Sequence, residues 1–243
     1  KILFLNLKKN SKWLTLNSLL IHFYDLFDKY LVKIFLGPIA IATYSIPQQI
    51  TGKLSIFSKG FSAFLLPNLS KKKNNTQNFN YTLEIFLKVI PLVILLFFPF
   101  FEIFLNFWLG ENFNKTILIL TKIFSICAIF ACASHLLITK FEATKTLYRN
   151  LKIEFILMPI FLLSLFYLTS NYFTLIHISV LILLKEWLLL IFRLNLLKNE
   201  IKNFKNYYII SFTTVLALYL SINFNDLFYV LMTLIILKFF LKK

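Results

Sequence analysis

The chain has 243 residues, of which 59% are hydrophobic and 18% aromatic, with 30 phenylalanines and a mean hydropathy of +0.77. Only 15% are charged, yet Lys and Arg outnumber Asp and Glu by 26 to 10, a net charge of +16. This profile excludes a water-soluble domain and predicts an all-α polytopic transmembrane helix bundle.

A helix needs about 20 residues to cross a hydrocarbon core about 30 Å thick. Eight segments meet or approach that length, near 14–36, 39–66, 83–108, 116–139, 153–170, 174–192, 207–222 and 226–240, and are read as one bundle over 1–243. The first carries Ser18, His22, Asp25, Lys29 and Lys33 at spacings of three and four, one polar stripe with Asp28 at its edge. Its other side, through Leu20, Ile21, Leu31 and Phe35, is expected to meet lipid. Lys33 is close enough to the segment's end to snorkel, and Lys29 has Asp25 and Asp28 nearby. His22 and Asp25 call for a watery cavity or a buried partner.

The second segment repeats the pattern with Gln48, Gly52, Ser55, Lys59 and Ser62, and Lys53 stands beside Gly52. Pro47 and Gly52 predict a bent helix, tolerated in membranes where helices move or surround a substrate. Ser55 and Ser62 are read as helix-packing residues. In the fourth segment, Cys127 and Cys132 give neither a disulfide framework nor a metal spacing and are read as packing residues. Glu102, Lys122, Lys185 and Glu186 also fall inside segments, where pairing between neighbouring helices is expected.

The connections set the orientation. Lys1, Lys8, Lys9 and Lys12, the "KKK" at 71–73, the clusters at 140–152 and 193–205 and the C-terminal lysines all fall on one side. The opposite connections hold Lys115 alone. Retention of Lys and Arg in the cytoplasm places both ends of the chain there and leaves no outer domain. The charge is spread over short loops rather than a stripe, so no nucleic-acid partner is expected. The chain opens on Lys1 and is read as part of a longer protein.

The run "WLTLNSLLIHFYDLFDKYLVKIFLGPIAIATYSIPQQITGKLSIFSKGFSAFLLPNLSK" resembles the segment that opens the second half of Wzx-type polysaccharide (O-antigen) flippases, in the multidrug/oligosaccharidyl-lipid/polysaccharide exporter superfamily. The resemblance rests on Trp13, Thr15, Ser18, Asp28, Lys29, Gly37, Tyr44, Pro47, Pro67 and Ser70. Lys29 stands where Arg is more usual, which keeps the charge but loses a bidentate donor. "FEATKTLYRNLKIEF" looks like the basic connection after the fourth helix of that half, and the last hundred residues are similar only in hydropathy.

The resemblance implies one half of a two-bundle carrier in the bacterial cytoplasmic (inner) membrane. Its partners would be a six-helix first half, membrane lipids and a polyprenyl-pyrophosphate-linked oligosaccharide as cargo. His22, Asp25, Asp28, Lys29, Lys33, Gln48, Lys53 and Lys59 would then line the cargo pathway. No cofactor, metal or catalytic group is expected, since no P-loop, nucleotide-binding glycine pattern, zinc spacing or nucleophile elbow occurs. Three rival readings are a drug exporter of the same superfamily, a membrane-embedded polysaccharide polymerase or ligase, and a nonfunctional remnant. The lysines of the first two segments disfavour the exporter, which would need an anionic pocket for cationic drugs. The enzymes generally need a sizeable loop or a carboxylate-and-arginine constellation at the interface, and neither is visible.

Overall fold

The computed structural model describes residues 2–70, 76–171, 174–198, 200–201, 207 and 209–216. The architecture is all-helical, 93% helix with no strand among the described residues. Among the described residues, five helices are long and apolar enough to cross a membrane. The expected segment 226–240, and 208 and 217–222 of the segment 207–222, lie outside the described residues.

Helix α1 (Ile2–Gly52) is a hairpin. Gly37 has φ 85° and ψ −179°, a region essentially reserved for glycine, and Pro38 follows without an N–H to continue the ladder. In a straight helix, residues 16 apart lie about 24 Å apart along the axis. Here the Tyr44 hydroxyl lies 2.6 Å from Asp28 Oδ2, so the arms 2–36 and 38–52 run antiparallel. The second arm loosens at its end. Lys53 and Leu54 donate back only three residues, to Ile50 and Thr51, and Ile56 and Phe57 donate likewise to Lys53 and Leu54. Helix α2 (Ser55–Ser70) continues from this break.

The expected segment 83–108 is built from α3 (Thr76–Glu84), a π-helical turn (Ile85–Val89) and α4 (Ile90–Leu109). Pro91 opens α4, and Gly110 ends it at φ 54°. Asn114 starts α5 (Lys115–Ala143), its Oδ1 accepting from the Thr116 N–H at 2.8 Å. α5 ends with the Thr146 N–H on the Phe141 carbonyl and the Lys145 N–H on that of Glu142, with Lys145 at φ 58° where glycine is usual. α6 (Leu147–Ser170) and α7 (Leu175–Leu196) complete the bundle.

α5 is the central pillar. It packs on α1, α2, α4, α6 and α7, and its most apolar window is 72% buried, against 17–33% for the other spans. In lipid the hydrophobic effect does not hold helices together, so close backbone approach matters. α5 supplies it with the buried small residues Ser125, Cys127, Cys132, Ala133 and Ser134.

The first arm is turned differently from the sequence expectation. Its buried face runs through Asn17, Leu20, Tyr24, Asp28, Leu31 and Val32, while Ser18, His22 and Lys33 are exposed. The buried face thus lies about a third of a turn from the polar stripe. The physical reason is the hairpin: Asp28 finds Tyr44 and Gln48 across the turn, whereas a buried row of lysines would need a carboxylate or other acceptor for each charge.

Candidate functional site

The α1 arms, α2, α5, α6 and α7 surround a cavity of about 440 Å³. Its first wall is the hairpin clamp. Asp28, 4% exposed, accepts hydrogen bonds from the Tyr44 hydroxyl (2.6 Å), Gln48 Nε2 (3.1 Å) and the Lys29 N–H (2.7 Å). These bonds fix the two arms against each other and use most of the acceptor capacity of the carboxylate.

The second wall carries two ion pairs. Lys185 Nζ lies 2.8 Å from Glu186 Oε1 and over the rings of Tyr24 (4.6 Å) and Phe161 (5.0 Å). Arg193 and Glu154, both buried, meet at 2.5 Å. Asn150 extends this pair. Its Nδ2 donates to Glu154 Oε1 (2.9 Å) and Asn17 Oδ1 (3.1 Å), and its Oδ1 accepts from Arg193 Nε (2.7 Å). One network thereby ties α1, α6 and α7 together. A third wall joins α2 to α5, where Ser62 Oγ lies 3.0 Å from His135 Nδ1 and accepts from Thr139 Oγ1 at 2.9 Å.

The cavity gathers unsatisfied polar atoms. Five buried side-chain atoms among the described residues lack a hydrogen-bond partner, and four belong to residues bordering it: Tyr24 OH, Gln48 Oε1, Ser134 Oγ and Glu154 Oε2. Each costs about 1–3 kcal/mol when left unmade, so among the described residues most of this cost falls on residues that border the cavity. Four basic residues (Lys29, Lys59, Lys185 and Arg193) border it against three acidic ones (Asp28, Glu154 and Glu186).

Of the pathway residues named from sequence, Asp28, Lys29, Gln48 and Lys59 border the cavity. His22, Lys33 and Lys53 are exposed and do not border it, and the Asp25 side chain lies outside the described residues. Ser62 is a packing residue here, whereas Ser55 borders the cavity. Lys185 pairs with its own neighbour, Lys122 is buried with its Nζ 5.9 Å from the Phe98 ring, and Glu102 is exposed. Cys127 and Cys132 are free, buried thiols. No group of three or more His, Cys, Asp or Glu residues that could hold a metal ion occurs among the described residues.

The sequence reading missed Glu154 and the burial of Arg193. Asn150 and Glu154, four residues apart on one apolar helix, were the available signal. No family model, no curated protein and no solved structure matches this chain.

Proposed function

We propose that the chain is the second half of a polysaccharide flippase, a carrier that moves a polyprenyl-pyrophosphate-linked oligosaccharide across the bacterial cytoplasmic membrane. Eight helices here would pair with six in a first half, and the two bundles would rock about a midplane site in alternating access. The motif from Trp13 to Ser70 supports this reading, as does the excess of basic over acidic residues around the cavity, which suits an anionic cargo and disfavours a cationic drug.

The observation that carries the proposal is the uncovered basic edge of the hairpin and α2. His22, Lys33, Lys53 and Lys59 are exposed on helices otherwise apolar enough to span. A lysine facing hydrocarbon costs about 2.5–3.5 kcal/mol on insertion scales, so such an edge belongs against water or a second bundle rather than lipid. Thiol labelling tests it in a protein whose native Cys127 and Cys132 are replaced by Ala. Cysteines at 22, 53 and 59 should react with a membrane-impermeant reagent, and cysteines at the exposed apolar positions Phe107 and Leu163 should not. Unreactive cysteines at both 53 and 59 would remove the polar pathway.

A further inference from the structure

The corner between α5 and α6 carries charge that the cavity does not use. Its turn is fixed by the Thr146 N–H on the Phe141 carbonyl and the Lys145 N–H on that of Glu142, and α6 starts directly after it. In the first two turns of α6, Tyr148, Arg149 and Lys152 are exposed, and none of them borders the cavity. Arg149 Cζ lies 5.9 Å and Lys152 Nζ 5.8 Å from the centre of the Tyr148 ring, and Arg149 Nε is 3.4 Å from the Tyr148 hydroxyl. Two like charges gathered around one exposed ring repel each other, and an anion shared between them would relieve that repulsion.

No carboxylate among the described residues supplies it. Neither Arg149 nor Lys152 has an ion pair with any of them. Glu154, the only acidic residue of α6, is buried against Arg193. Glu200, whose charge reaches Arg149, is itself paired with Lys140 at 3.4 Å.

A separate observation on the same helix says what kind of anion fits. Lys152 heads a stripe of apolar side chains at helical spacing, Phe155, Ile156, Ile160 and Leu163, all between 47% and 70% exposed. They belong to a helix long and apolar enough to cross a membrane, so the stripe meets hydrocarbon. Tyr148, Arg149 and Lys152 then stand where that helix meets the headgroups, the level at which Tyr, Lys and Arg anchor a span. A soluble anion would engage the cations and leave the stripe unused, and a neutral lipid would do the reverse. A lipid with a charged phosphodiester engages both.

We infer that this edge of α6 binds an anionic phospholipid, its phosphodiester between Arg149 and Lys152 beside Tyr148 and its acyl chains along Phe155, Ile156, Ile160 and Leu163. The inference requires only that α6 spans a membrane and is independent of what the cavity carries. Purified chain in detergent micelles is titrated with dioleoylphosphatidylglycerol, with dioleoylphosphatidylcholine, which has the same tails and no net charge, and with glycerol phosphate, which has the charge and no tails. Kd is read from native mass spectra as the ratio of ligand-bound to ligand-free protein.

Phosphatidylglycerol should bind most tightly of the three. One basic residue beside an anionic lipid surface is worth about fivefold, so Arg149→Gln with Lys152→Gln should raise its Kd about twentyfold and abolish its advantage over phosphatidylcholine. The ligand-free Tm should not move, because both side chains are exposed. Arg149→Lys with Lys152→Arg, which keeps both charges, should retain most of the binding. Lys115→Gln, which removes an exposed lysine at the opposite end of α5, should leave Kd unchanged.

Equal affinity for phosphatidylglycerol and phosphatidylcholine, or an unchanged Kd in the double Gln variant, overturns the site and leaves α6 with an ordinary lipid-facing surface. Glycerol phosphate binding as tightly as phosphatidylglycerol overturns the assignment to a lipid. A loss in Lys115→Gln equal to that in the double variant also overturns the site, since the net charge of the chain would then be what attracts the lipid.

Discussion

Glu154 and Arg193 form a buried ion pair, so removing either partner alone is costly. Both are buried at 2.5 Å, and Asn150 bridges them. Removing one partner of such a pair leaves an uncompensated charge, a loss of about 3–5 kcal/mol, whereas replacing both with apolar groups is often near neutral. Arg193→Leu should therefore lower Tm and membrane abundance sharply, and Glu154→Leu combined with Arg193→Leu should recover much of the loss. Thermal melts in detergent check this. Equal melts for single and double variants would show that the network holds nothing together. Sequence reasoning did not reach this pair, because an Arg near the end of a span reads as loop charge. The residues it named on the hairpin, Asp28 and Gln48, form the clamp across the turn. Lys29 was expected to pair with Asp25 or Asp28, and the Asp28 side chain accepts from Tyr44 and Gln48, partners that come within reach only after the chain folds back.

Gly37 supplies the backbone conformation that turns the α1 hairpin. No heavy atom lies within 4 Å of where a Cβ would stand, so a substitution there is resisted by backbone conformation rather than by crowding. Gly37→Ala should destabilise by about 1–3 kcal/mol, the usual cost of holding a non-glycine residue in that region. Asp28→Asn in the same protein should lower stability further by weakening the Tyr44 bond. Proteolysis of the 36–38 turn reports both effects, and wild-type resistance in Gly37→Ala would contradict the assignment. Helix extents were legible because apolar runs of about 20 residues define them, and Gly-Pro marks the turn. The facing of those helices was not. In lipid both sides of a helix are largely apolar, so polarity alone says little about which side packs. That is how Leu20 and Leu31, expected to meet lipid, came to lie in the core.

At the scale of the molecule, the hydropathy of the chain was enough to predict an all-helical bundle. The cavity was not predictable, since it draws residues from five helices whose order around α5 depends on packing. The loop charges carry a separate expectation: tags at Asn75, Asn203 and the C-terminus should report cytoplasm, and tags at Asn112 and Asn225 the outside. Asn75 outside would reverse the orientation. The central claim is transport, and translocation in proteoliposomes tests it most directly. A carrier joining this half to its first half is reconstituted with a fluorescent polyprenyl-pyrophosphate oligosaccharide, and the fraction reaching the far leaflet is read by quenching. Wild-type protein should move the lipid steadily, and Lys53→Ala with Lys59→Ala should slow it about tenfold or more, as loss of an interaction with the moving charge requires. No movement above protein-free vesicles, or a wild-type rate in the double variant, would contradict the account.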